Sequence, residues 1–111
     1  MKLQYPFKLS GKTSELWNEV SNNQWKKMLP KHWTDKGFHF YKRIKERGPE
    51  AGINSPGDLE SEINKGIVLH HMGDRFKIKL SIINSNGQYF TVFYDFMEKE
   101  SKCELVTCSY E

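Results

Sequence analysis

The chain has 111 residues, 28% charged, 37% apolar and 14% aromatic, with a formal charge of +3 and a pI near 8.8. These values fit one folded domain with its own hydrophobic core and exclude a disordered chain. The mild positive charge permits a polyanionic partner without demanding one, and no apolar run approaches the ~18 residues of a membrane span. Residues Met1 to Lys8 lack the apolar core of a signal peptide.

In chain order, Lys12-Thr13-Ser14-Glu15 opens a first helix with a Thr or Ser cap. Leu16, Trp17, Val20 and Met28 supply its apolar side, and Pro30 ends it. A second helix is predicted from Lys36 to Arg47, stopping at Gly48-Pro49. At ~100° per residue, His39, Arg43 and Arg47 fall within roughly 80° of arc on one side. Phe38, Phe40, Tyr41 and Ile44 occupy the adjoining arc. Such a helix is anchored by its apolar face while its edge presents an imidazole and two guanidiniums, groups suited to phosphodiester chemistry on RNA. The competing reading is a solvated basic helix.

Ser55-Pro56-Gly57-Asp58 is a strong helix start, with a Ser cap, Pro at the first helical position and an acid at the third. Leu59 and Ile63 face inward, and Gly66 closes this short helix. The pattern then changes to period two. Ile67 to His71 is a short strand, and Gly73-Asp74 turns the chain. In the next strand Phe76, Ile78, Leu80 and Ile82 alternate with Arg75, Lys77, Lys79 and Ser81. Asn84 to Gly87 makes a hairpin turn. Gln88 to Phe96 is apolar on nearly every residue and reads as a central strand, and Cys103 to Tyr110 is the last.

Helices followed by such strands predict a single α+β domain, with N-terminal helices on one face of a four-stranded antiparallel meander sheet. The helical part spans about residues 12–66 and the sheet about 67–110. On this plan Arg75, Lys77 and Lys79 stand on the open face. Tyr89, Thr91, Phe93 and Asp95 join them if that side of the central strand shares it. A basic, aromatic sheet surface suits a splayed single strand of RNA; the plain reading is ordinary Lys/aromatic alternation.

Cys103 and Cys108 lie an odd number of residues apart on one strand, so they are expected on opposite faces, about 16 Å apart and unable to bridge. Folding under reducing conditions follows. His70 and His71 are adjacent on a strand and face opposite ways, and neither His32 nor the cysteines complete a zinc spacing, so no metal and no cofactor is expected.

The pattern His39-x-x-x-Arg43-x-x-x-Arg47-Gly48, then Ile53, Ser55-Pro56-x-Asp58-Leu59-x-x-x-Ile63-x-x-Gly66 and a last strand with Leu105-Val106-Thr107, resembles small bacterial nuclease toxins. These form the barnase–EndoU–colicin–RelE-like group. The chain is most similar to the tRNA-cleaving C-terminal domains of contact-dependent inhibition and other polymorphic toxins, from about Gly37 to Tyr110. The resemblance implies a metal-independent ribonuclease delivered as the tail of a secreted or cell-surface protein and acting in the target-cell cytoplasm. It further implies a cognate immunity protein, acidic where it meets Arg75, Lys77 and Lys79 and covering His39; a host translation factor is a further partner to test. Relatives often carry an aromatic two residues after the Thr of the last strand, where this chain has Ser109. Tyr110, three residues on, therefore faces away from Thr107 unless a β-bulge intervenes.

Metal-free RNA cleavage needs an acid/base for the 2′-OH and 5′-oxygen, and donors for the pentavalent phosphate. His39 is the candidate acid/base, because imidazole gives and takes protons near neutral pH. Arg43, with Thr107 and Tyr110 from the last strand, would complete the catalytic set. Arg47, Lys42, Arg75, Lys77 and Lys79 are the candidate RNA-binding residues. Convergence of the His39/Arg43 edge with Thr107 is required of this site. A structural histidine, an Arg–Glu46 surface pair and a simple strand threonine are the plain alternatives. The functional alternative is a non-catalytic RNA-binding module or an immunity/antitoxin partner protein; a small phage or accessory protein is a third.

Overall fold

The computed structural model describes residues 33–35, 37, 39–97, 99 and 102–111. The first predicted helix, His32, Lys36 and Phe38 lie outside the described residues. Within them the order is β1 (Trp33–Asp35), α1 (His39–Arg47), a 3₁₀ turn (Pro49–Ala51), α2 (Pro56–Lys65), β2 (Ile67–Met72), β3 (Arg75–Ile83), β4 (Tyr89–Met97) and β5 (Lys102–Tyr110).

The fold is α+β, and among the described residues the sheet has five strands in the order β1-β5-β4-β3-β2. This corrects the expected four-stranded antiparallel sheet. β2 to β5 form the antiparallel meander, and β1 adds a fifth strand parallel to β5, Trp33 to Leu105 in steps: Trp33 beside Cys103, Thr34 beside Glu104, Asp35 beside Leu105. Three residues carry no usable periodicity, so β1 is invisible until its distant partner strand is in place.

β1 also starts α1. The buried carboxylate of Asp35 accepts from Phe40 N at 3.1 Å and Tyr41 N at 2.8 Å, so it satisfies two N–H groups that the helix itself leaves open. A negative charge there also favours the helix dipole. Asp35→Ala would strand those donors, and we expect a loss of about 2 kcal/mol, measured as a lowered denaturant midpoint.

α2 forms as its local code dictates: Ser55 Oγ accepts from Asp58 N at 3.2 Å, and Pro56 occupies the first turn. Leu59 and Ile63 are buried as expected. Gly66 ends the helix with an extended backbone rather than a left-handed one. Its lack of a side chain matters for space, since a Cβ there would lie 2.5 Å from Ile78 Cγ2 on β3. The single core unites Phe40, Tyr41 and Ile44 of α1 with Leu59 and Ile63, and with Ile78, Leu80, Phe90, Val92, Tyr94 and Leu105 of the sheet. α1 packs over β5 and α2 over β3. One face of the sheet is therefore the helix-bearing face.

Candidate functional site

α1 presents the chemistry-bearing edge. His39 is exposed in the first turn, and Lys42 and Lys45 are exposed further along. Arg43 is half-buried and pairs with Glu46 at 3.0 Å. Arg47 donates through Nη1 to the carbonyl of Cys108 on β5. That carbonyl points outward because Tyr89 and Glu111 exchange both backbone bonds, so alternate β5 residues face away from β4. Arg47 thus fastens the basic helix to the part of β5 that lies beyond its pairing with β1.

The other face follows the predicted register. Arg75 stands opposite Asp95, Lys77 opposite Phe93 and Lys79 opposite Thr91, so the alternating cations and the β4 residues do share one face. Each cation has a neighbour of its own. Arg75 holds Asp95 through Nε at 2.7 Å and Nη2 at 3.0 Å, a bidentate pair whose hydrogen bond pushes the guanidinium further towards its charged form. Lys77 Nζ lies 4.0 Å from Glu111, and Lys79 Nζ lies 4.0 Å from the Tyr89 ring centroid. Thr91 and Phe93 are only 3% and 8% exposed, and His71 meets the Phe93 ring edge-on. Tyr89 lies under a lysine and Phe93 is covered, so neither is an open stacking platform.

A bulge in β5 decides the rest. Phe93 pairs with Thr107, but Tyr94 pairs with Leu105, which leaves Val106 as the extra residue. Cys103 and Leu105 point to the core before it, Cys108 and Tyr110 after it. Thr107 is therefore turned to the face of Phe93 and Lys77, away from α1. Its expected convergence with His39 and Arg43 is not formed. Tyr110 instead lies on the helix-bearing face, edge-on to Phe90 at 5.2 Å. The two residues remain on opposite faces, because the bulge precedes both of them.

The same bulge corrects the expectation for the cysteines: Cys103 and Cys108 share the helix-bearing face, both as buried free thiols. Burial pushes both up to about 12, and at Cys108 it outweighs the pull of Arg47 and Arg43. A raised thiol value means stability is full below the ordinary value of 9.0 and falls as pH rises towards about 12. The expected loss is about 1.4 kcal/mol per pH unit per thiol in that window. Unfolding by urea at pH 8 and pH 10 measures it, and Cys108→Ala should roughly halve the difference.

His70 and His71 serve opposite faces: His70 Nε2 pairs with Gly73 O at 2.9 Å and its ring meets Phe76, whereas His71 meets Phe93. Among the described residues no group of three His, Cys, Asp or Glu side chains gathers as a metal site. No described helix is long and apolar enough to cross a membrane. Asp35 is a positioning residue that no motif marks; an acid immediately before the predicted helix start is its one sequence signal. No family model, curated protein or solved structure matches the chain.

Proposed function

We propose that the chain is an antibacterial toxin ribonuclease of barnase/RelE-like arrangement, acting on RNA, with tRNA as the substrate class, at the α1–β5 edge. The observation that carries this reading is the exposed imidazole of His39 on a helix side that continues into Arg43 and Arg47. The motif resemblance described above supports it. His39 takes the 2′-OH proton as the 2′-oxygen attacks phosphorus; the bond to the 5′-oxygen breaks, and the His39 imidazolium gives its proton to that oxygen. Arg43 and Lys42 neutralise phosphate charge. The expected site that required Thr107 does not stand, because Thr107 is on the face opposite α1. The set proposed here is a different one, His39 and Arg43 with Tyr110, which shares the helix-bearing face. The imidazole carries the proton and the guanidinium and ammonium groups neutralise the charge, so cleavage is expected to survive EDTA and to leave a 2′,3′-cyclic phosphate.

A cognate immunity protein in this reading covers the α1 edge. Because the lysine row lies on the other face, one compact partner does not need to cover both. Delivery as the tail of a secreted protein and help from a host translation factor belong to the same proposal. The second reading, a non-catalytic RNA-binding module or immunity/antitoxin partner, is favoured by the pairing of Arg43 with Glu46, which occupies a cation that the reacting set needs. Inducing the chain in bacteria and sizing total RNA separates them. Discrete cleavage supports the nuclease, and intact RNA with retained binding supports the module.

A further inference from the structure

The tip of the β3–β4 hairpin holds two asparagines in opposite situations. Its loop is Ser85-Asn86-Gly87, with Gly87 in the left-handed region at φ +78°, as a three-residue hairpin loop requires. Asn84 is tied down. Its Oδ1 accepts from Asn86 N at 2.9 Å and Gln88 N at 3.0 Å, and its Nδ2 donates to Gln88 Oε1 at 3.1 Å. Asn86 is exposed, and no hydrogen bond among the described residues holds its side-chain amide. The next residue, Gly87, has no Cβ, and nothing lies within 4 Å of where one would stand. Its main-chain nitrogen is therefore open to the Asn86 side chain. The other described asparagines, Asn54, Asn64 and Asn84, precede Ser55, Lys65 and Ser85, whose side chains shield the corresponding nitrogen.

We infer that Asn86 is a site of spontaneous deamidation, and that the Asn84 side chain is the latch that limits its rate. The Gly87 nitrogen gives its proton to solvent base and bonds to Asn86 Cγ. The Cγ–Nδ2 bond breaks and ammonia leaves, which closes a cyclic imide. Water then opens the imide at either carbonyl. Breaking the new N–Cγ bond leaves aspartate at position 86; breaking the original main-chain bond leaves isoaspartate, with the chain rerouted through the side chain. No electrons are transferred in either step. In the closed tip the attacking nitrogen is engaged: Gly87 N donates to Asn84 O at 3.1 Å, and Asn84 N donates to Gln88 O at 3.0 Å. Attack therefore waits for the tip to open locally, and the three Asn84 side-chain bonds oppose that opening. Both products add one negative charge. Aspartate keeps the length of the main chain and the Asn86 N–H bond to Asn84 Oδ1. Isoaspartate adds one carbon to the main chain inside the loop, so the closing bonds of the hairpin cannot all be kept.

The test incubates the full chain in warm, mildly alkaline buffer and follows it by anion exchange and peptide mass mapping. An isoaspartate-directed methyltransferase is the probe for the rerouted product. Wild type should accumulate acidic species whose added mass maps first to Asn86, and Asn86→Ser should lack them. Gly87→Ala should slow the conversion several-fold. Asn84→Ala, which removes all three side-chain bonds, should speed it several-fold, whereas Asn84→Asp, which keeps both acceptor bonds, should not exceed the wild-type rate. Far-UV circular dichroism confirms that each variant remains folded. A wild type that forms no such product, a first product at another asparagine, or equal rates for wild type and Asn84→Ala would overturn the proposal.

Discussion

His39→Ala is expected to reduce RNA cleavage at least ~10²-fold while leaving the fold intact, the loss typical when a positioned acid/base is removed. The fold should survive because His39 is exposed in the first turn of α1 and contributes nothing to the core. Alanine is also the better helix former. Two companions make the result specific. Thr107→Ala should change cleavage little, since the β5 bulge turns that hydroxyl to the face opposite α1. Tyr110→Phe, on the α1 face, should lower the rate while keeping the ring contact with Phe90. The measurement is the initial cleavage rate of a tRNA substrate, with far-UV circular dichroism as the folding control. Equal rates for wild type and His39→Ala would remove the acid/base assignment and leave the binding-module reading.

Gly48→Ala is expected to be strongly destabilising, at about 3 kcal/mol. Its backbone angles, φ −62° and ψ −45°, are ones alanine adopts freely, so conformation is not the obstacle. Space is. A Cβ there would lie 2.5 Å from the carbonyl oxygen of Ile44 and 2.6 Å from that of Ile53. Both obstructions are main chain and cannot rotate away. The same residue ties the end of α1 to the 3₁₀ turn and Ile53: its N–H donates to Ile44 O at 2.7 Å, and its carbonyl accepts from Ala51 N and Ile53 N, each at 2.8 Å. Ile44 and Ile53 are completely buried, so any shift reaches the core directly. Gly52→Ala is the control: φ is +79° with nothing within 4 Å of the added carbon, so only the left-handed strain of about 1 kcal/mol should appear. Thermal melts of the two variants should differ by at least about 8 °C. Similar melts would show that the backbone around Gly48 yields more easily than its geometry implies.

Local chemistry and regular periodicity were legible in the residues alone. Ser55-Pro56-x-Asp58 specifies its helix start because cap and recipient are three residues apart. The β3 alternation correctly assigned Ile78 and Leu80 to the core and Lys77 and Lys79 to the other face, since a period of two reports side-chain direction without reference to any partner. Of the candidate site, the α1 edge was readable for the same reason: Phe40, Tyr41 and Ile44 anchor it and leave His39 outward. What depended on partners distant in sequence was not readable. β1 exists through its pairing with β5, and Asp35 caps α1 from that strand. Gly66 proved to be a packing glycine because Ile78 approaches it from β3. Above all, one extra residue at Val106 reverses every later side chain of β5, turning Thr107 away from α1 and bringing Cys108 and Tyr110 towards it. Nothing in Leu105-Val106-Thr107 announces that reversal. A bulge is a mismatch between two strands, so it becomes a property of the chain only when β4 and β5 are aligned.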